Sequence, residues 1–529
     1  MKPLFSRPLP RALVVPLLIF FIVCAVGGAS GASADLVVPP KRQVEPTAQI
    51  VEAGLGNEAP APAPVSVPAA AAAAAPTHEK IKLNAGQIDQ TTTGRARCLL
   101  GALAMILVAF ACSENRKRIP WRLVAVGSLM QLVFALLVLK SGLGRSLFGI
   151  ANDAVNAALG FSTAGARFLF GNLVDMSVPV GDTLGNGGAS SVVLDPQFWA
   201  TTGGFIAFNV LPTILFFSAL MALLYHLGVM QFACRGIAFL MQRTMGTSGA
   251  ETMSVASNIF LGQTEAPLLI KPYLDKMTRS ELMAVMVAGF ATVAGGVMAA
   301  YVGMLRESFD DIAGHLLAAS VMGAPASMVM AKIMIPEKDA PATMGDQGVK
   351  LPKIDANVLD AVSRGTSEGL TLALNVGAML ITFTAIIAMI NATLGLSVDL
   401  GLPLISLEKV FGWVGAPIAF VLGVPWDDAV TVGGLIGTKT VVNEFVAYQQ
   451  LAGLLHQPAG TAFHHSTSVV IATYALCGFS NFASIGIQIG GISAMAPGRR
   501  ADVAALGLKA MFCGSLATFQ TAAIAAMVL

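Results

Sequence analysis

Residues 258–273 read NIFLGQTEAPLLIKPY. Asn258, Gln263, Thr264 and Glu265 stand beside Gly262 and Pro267 in a run otherwise apolar enough for hydrocarbon, where polar groups are costly and mark function. Gly262 and Pro267 both disfavour a continuous helix, so the spacing predicts two short apolar arms meeting at a polar tip: a re-entrant hairpin. Non-helical backbone persists at membrane depth only where protein or a water-filled cavity satisfies it. A tilted spanning helix with a polar seam is the competing reading, but four hydrogen-bonding positions exceed what helix packing uses.

Composition sets the surroundings of that hairpin. The chain has 529 residues, 55% hydrophobic and 12% charged, with a mean hydropathy of +0.73. That charge content is about half that of a soluble domain, which implies an all-α polytopic membrane protein. The net charge of +2, with no basic run interleaved with aromatics, gives no sign of a nucleic-acid partner. The six cysteines are scattered through apolar stretches without CxxC spacing, as reduced packing residues would be. Neither a GxSxG turn nor an HExxH pair occurs, so no enzyme is expected.

In chain order, residues 1–34 run from Lys2, Arg7 and Arg11 through an apolar stretch to Ala32, Ser33 and Ala34, the order of a signal peptide or an uncleaved signal anchor. Residues 35–96 are rich in proline and alanine and read as an exported, periplasmic tether. Residues 97–245 read as scaffold. They hold helices over 97–112 and 123–139, an interfacial helix over 146–171, an external Gly/Ser-rich loop over 181–196, a span over 203–230 and a second amphipathic piece ending near Arg243. Arg116, Lys117, Arg118 and Arg122 place the loop between the first two helices in the cytoplasm. Lys271, Lys276 and Arg279 place the exit of the polar hairpin on the same side.

Residues 246–529 read as a transport core. The first hairpin is followed by helices over 281–305 and 311–335. A span over 359–394 follows, then a second polar-broken pair over 410–424 and 433–448 and helices over 466–491 and 503–529. Hairpin, helix, helix thus occurs twice, each round with its own carboxylate, Glu265 or Glu444. The expected architecture is about eight transmembrane helices plus two re-entrant hairpins in an inverted repeat, with the site at the midplane.

Three segments in order, GQTEAPLLIKPYL (262–274), KTVVNEFVAYQQL (439–451) and CGFSNFASIGIQIGG (477–491), resemble those of concentrative nucleoside transporters of the bacterial, ion-coupled type. The resemblance runs from about Cys98 to Leu529. It implies a multi-pass protein of the bacterial inner membrane, a homotrimer, with a uridine-like nucleoside as substrate and sodium as coupling ion; no other cofactor is implied. By that resemblance Gly262, Gln263, Thr264 and Glu265 face the base, Glu444 with Asn481 and Ser484 holds ribose hydroxyls, and Phe479 and Val297 pack beside the substrate. It also implies a sodium site from the Asn258 side chain, the Leu261 and Val293 carbonyls and Thr292, where serine is common in the family.

The residue chemistry agrees. Gln263 and Thr264 each donate and accept, and an ionised Glu265 only accepts, which suits the mixed edge of a nucleobase. Glu444, a carboxylate in an apolar segment, must be paired or hydrogen-bonded; an ion pair with Lys439 is the plain alternative to a binding role. Thr292 could serve only to bond its own helix. Proton coupling through Glu265 or Glu444 competes with sodium, and a passive channel for small polar solutes competes with symport.

Overall fold

The computed structural model describes residues 92–174, 177–179, 199–201, 206–306, 308–309, 311–345, 354–395, 406–457 and 461–529. The signal reading of 1–34, most of the 35–96 tether and the 181–196 loop lie outside the described residues. Five helices come first: α1 (Thr92–Ala111), α2 (Trp121–Ala135), α3 (Gly142–Phe170), α4 (Ile206–His226) and α5 (Val229–Met245). A two-stranded antiparallel pair, Ser177–Pro179 with Trp199–Thr201, lies between α3 and α4.

The first repeat is α6 (Gly249–Ser257), α7 (Glu265–Leu269), α8 (Lys271–Leu274), α9 (Arg279–Ala291), α10 (Gly295–Leu305) and α11 (Ile312–Met334). Then come α12 (Val358–Gly395) and α13 (Leu407–Val421). The second repeat is α14 (Trp426–Val441), α15 (Glu444–Leu455), α16 (Ser466–Leu476), α17 (Phe482–Met495) and α18 (Arg500–Val528). Among the described residues seven helices are long and apolar enough to cross a bilayer, or eight if the pair α13 and α14, bent by 116°, is one span.

Two spans expected to be continuous are broken. The stretch 281–305 divides at residues 292–294, where Thr292 is extended and the Gly295 N–H donates to Phe260 O at 2.9 Å. The stretch 466–491 divides at residues 477–481, where Gly478 has φ +150° and a Cβ would lie 2.7 Å from Phe290 O. At 1.5 Å per residue α16 and α17 measure about 16 and 21 Å, so only together do they match a hydrocarbon core of about 30 Å. The second hairpin also differs from the expected 410–424 with 433–448. Its arms are α14 and α15, joined at Val442 and Asn443, so Glu444 opens the second arm as Glu265 opens α7. The repeat is therefore hairpin, broken helix, helix.

The two hairpins are rooted at opposite ends of one broken helix. Asp428, at the start of α14, accepts from His464 N, His465 N and Ser468 Oγ where α16 begins. Arg499, just past α17, donates to the carbonyls of Leu274, Asp275 and Met277 at the exit of the first hairpin. Glu114 bonds Arg279 at 3.0 Å and Lys509 at 2.8 Å, which brings the basic segments read as cytoplasmic to one side. Burial pushes the Glu114 carboxyl up, but the Lys509 hydrogen bond and the charges of Arg279 and Lys509 outweigh it and hold it below the usual range.

Capping fixes the base of the first repeat. Ser248 with Glu251 caps α6, and Thr278 with Glu281 caps α9, each as a reciprocal capping box. The caps are joined: Ser248 Oγ donates to Glu281 at 2.5 Å, and Lys332 of α11 pairs with Glu251 at 2.7 Å. Helices α9 and α10 are buried along their length. By contrast α12 packs Gly365 and Gly369 closely on α4, buries the small residues Ala361 and Ala373, and leaves most of its surface exposed. Close approach of backbones through small residues is the usual device between membrane helices. Four of the five described cysteines are buried; Cys112, at a helix end, is exposed.

Candidate functional site

The tip of the first hairpin meets the breaks of both helices. Gly289 on α9 allows this, because a Cβ there would lie 2.9 Å from Gln263 Cβ. Gln263 Nε2 donates to Ser484 Oγ at 3.2 Å, and its Oε1 accepts from Gln488 Nε2 at 3.2 Å. Glu265 turns back on its own hairpin and accepts from Gly262 N at 2.7 Å.

The second hairpin supplies the opposing carboxylate. Asn443 caps α15 by accepting from Val446 N, which leaves Glu444 in the first turn, where a helix N-terminus favours negative charge. Glu444 Oε1 accepts from Tyr301 Oη at 2.9 Å and Oε2 from Asn481 Nδ2 at 2.7 Å. Lys439 instead donates to Ala475 O at 3.0 Å and Thr518 Oγ1 at 3.2 Å. No Glu444–Lys439 ion pair occurs among the described residues. Asn481 caps α17 and accepts from Ser484 N, so one residue both starts that helix and holds the carboxylate.

These groups share one cavity of about 650 Å³, within the range of small-molecule sites. Gly262, Gln263, Thr264 and Glu265 line it from the first hairpin, and Val297 from α10. Glu444, Phe479, Asn481 and Ser484 line it from the second repeat. The substrate-facing residues expected from sequence are thus all brought together on one cavity.

Of the expected ion ligands, Asn258 and Leu261 lie on the first hairpin and Thr292 and Val293 at the break between α9 and α10, two segments joined by the bond from Gly295 N to Phe260 O. Asn258 is fully buried and among the described residues its Oδ1 has no hydrogen-bond partner, while its Nδ2 donates to Ser254 O at 3.1 Å. Among the described residues no backbone N–H is bonded to the carbonyl of Leu261 or Val293. Thr292 Oγ1 donates to Ala288 O at 2.9 Å, which spends its hydrogen and leaves its lone pairs as acceptors. A buried set of neutral oxygens with an orphaned acceptor fits a hard monovalent cation. Among the described residues no group of three His, Cys, Asp or Glu side chains is placed to hold a metal.

Sequence reasoning passed over several groups at this site. Tyr301 in an apolar helix reads as packing, and only the fold turns its hydroxyl onto Glu444. Gln488 had a usable signal, since Asn481, Ser484 and Gln488 recur at helical spacing. So did Ser367, Thr371 and Asn375, four residues apart on α12, which also line the cavity.

Paired hairpins rooted at opposite ends of a broken helix, enclosing a cavity with polar groups at both hairpin tips among apolar spans, define a polytopic membrane transporter. The family model described as Na+ dependent nucleoside transporter C-terminus matches residues 315–526, its N-terminal counterpart matches 100–173, and the Gate model, described as nucleoside recognition, matches 207–308. The uncharacterized transporter YutK of Bacillus subtilis is 42% identical over 431 residues, 81% of this chain and 98% of that protein. Solute carrier family 28 member 3 of Eptatretus stoutii is 41% identical over 436 residues, 80% of this chain and 59% of that longer protein. CNTnw in an inward-facing substrate-bound state superposes with a TM-score of 0.72 at 40% identity, over 82% of this chain and 97% of that one. A CNTnw variant in an outward-facing state gives 0.74 at 39% identity, over 82% and 98%. The chain belongs to the concentrative, Na+-dependent nucleoside transporter family.

Proposed function

We propose that the chain is a secondary active symporter that imports nucleosides, uridine-like in size and polarity, down a sodium gradient across a bacterial inner membrane, as a homotrimer. The observation that carries this reading is the convergence of Gln263 and Glu444, one from each hairpin, on a single cavity through partners on the broken helices. Gln263, Thr264 and Glu265 offer donors and acceptors to a base edge. Glu444, oriented by Tyr301 and Asn481, accepts from ribose hydroxyls with Ser484 beside it, and Phe479, Gly262 and Val297 shape the wall.

Sodium at Asn258, Leu261, Thr292 and Val293 ties the first hairpin tip to the break in α9 and α10, adjoining Gln263. Binding there orders the tip and raises nucleoside affinity, and by linkage nucleoside tightens sodium to the same degree. The repeats then move against the frame of α4 and α12. Neutral oxygen ligands favour sodium over a titrating carboxylate as the coupling element.

Uptake of radiolabelled uridine and adenosine into vesicles, with sodium or choline at fixed pH, tests the reading. Sodium-dependent accumulation is expected. Accumulation that ignores sodium and follows a pH gradient would transfer the coupling to protons, and simple equilibration would mean a channel.

A further inference from the structure

The cavity has a wall that its binding groups do not explain. Ser367, Thr371 and Asn375 follow one another at single-turn spacing on α12 and line the cavity from the frame, opposite the hairpins. The helix also exposes Leu370, Leu374 and Ile381, at 47%, 63% and 75%, and polar residues that do not line the cavity, Ser363, Thr366, Thr382 and Thr384. Ser367 Oγ donates to Ser363 O and Thr371 Oγ1 to Ser367 O, both at 3.0 Å, so each hydroxyl keeps its lone pairs for an incoming donor. Glu368, beside the row, is held with both oxygens 2.9 Å from Arg364, which also grips Asp355 at 2.6 Å. Among the described residues, Ser367 and Thr371 bond only carbonyls of their own helix, and neither is tied to a charged group as Glu368 is.

CNTnw has been solved in inward-facing, outward-facing and intermediate states, and on the proposed function the two repeats move against α4 and α12. Successive members of the row lie about 6 Å apart along the axis. A nucleoside held in this cavity, whose lining Ser367, Thr371 and Asn375 share with Gln263 and Glu444, would turn part of its polar edge, donors included, towards α12. Against an apolar wall those donors would be stripped of water with nothing to replace it, a cost that falls on the transit and not on the resting complex.

We propose that Ser367, Thr371 and Asn375 form a strip on the frame that takes over the substrate's outward hydrogen bonds in turn as the core slides. They are positioning residues for translocation, not for affinity. This rests on the nucleoside reading of the cavity.

The test compares equilibrium uridine binding in detergent with uptake turnover for Thr371→Val, Asn375→Leu, Thr371→Ser and Leu374→Ala. Thr371→Val keeps the shape of the side chain, and Asn375→Leu is an independent second probe. Both are expected to bind within about threefold of the parent protein and to turn over about tenfold more slowly, while Thr371→Ser and Leu374→Ala keep the parent rate. Parent turnover in both probes would overturn the strip. So would a parallel loss of binding, which would make these residues ordinary ligands, or equal slowing by Leu374→Ala, which would assign the effect to helix packing. Absence of uridine binding by the parent protein would sink the nucleoside reading itself, and the strip with it, at the first measurement.

Discussion

Tyr301 on α10 of the first repeat donates its hydroxyl to Glu444 on α15 of the second at 2.9 Å, and both residues are buried. The bond joins the two halves at the cavity wall and aims a carboxylate whose other oxygen is already held by Asn481. Tyr301→Phe removes the donor and keeps the ring, which stacks on Tyr448 with centroids 4.3 Å apart. One oxygen of Glu444 is then left without its partner, a loss of about 1–3 kcal/mol. Isothermal titration should show uridine affinity reduced about tenfold or more with the fold intact; unchanged affinity would mean that the tyrosine only packs.

Glu444→Gln tests the carboxylate itself. Two donors, Tyr301 Oη and Asn481 Nδ2, point at Glu444 from different sides. An amide offers one acceptor oxygen and a donating nitrogen, so it keeps one acceptor where the carboxylate has two and carries no charge. Concentrative uptake should disappear while the protein still inserts and runs as a single species in detergent. Normal uptake by this variant would remove Glu444 from the binding site.

The polar tips were legible because Gln263, Glu265, Glu444 and Asn481 are costly in apolar segments, so each declares a role wherever the chain folds. The broken helices were not. Neither 292–294 nor 477–481 contains a proline. Thr292 leaves the helix because the next turn is pulled onto Phe260 O, and Gly478 because Phe290 approaches it. Those are tertiary causes with little local trace. The same holds for the shift of the second hairpin. Its tip at Val442 and Asn443 carries no glycine or proline, whereas Gly423 and Pro425 upstream mark the bend between α13 and α14 and invite the wrong pairing.

At the proposed ion site the hydroxyl of Thr292 would be the replaceable ligand. Thr292→Ala removes it and Thr292→Ser retains it. The sodium concentration that half-saturates uridine binding should rise about tenfold in the alanine variant, the loss of one good polar contact, and stay near the parent value in the serine variant. Equal behaviour of the two would show that Thr292 does no more than bond Ala288.

Lys332 and Glu251 form a pair whose side chains are 4% and 1% exposed. Removing one partner of such a pair strands a buried charge and typically costs about 3–5 kcal/mol. Lys332→Met should therefore lower the thermal midpoint in detergent strongly, and Glu251→Met added to it should restore most of the loss. A double variant no more stable than the single one would show that the caps of α6 and α9, not the ion pair, carry the base of the hairpin.

Glu114 gives the pH prediction. Its folded carboxyl sits below the usual range because Lys509 and Arg279 outweigh its partial burial. A carboxylate with a depressed folded value adds stability that is complete above the unfolded value of about 4.3 and is lost as pH falls through the lower folded value. With Arg279 half exposed, the contribution is at most about 1 kcal/mol. The gap in melting temperature between the parent protein and Glu114→Gln should be full at pH 7 and at pH 5, then close as the pH drops below about 4. A gap that stayed constant through that range would mean the two cations on either side of Glu114 contribute packing and not charge.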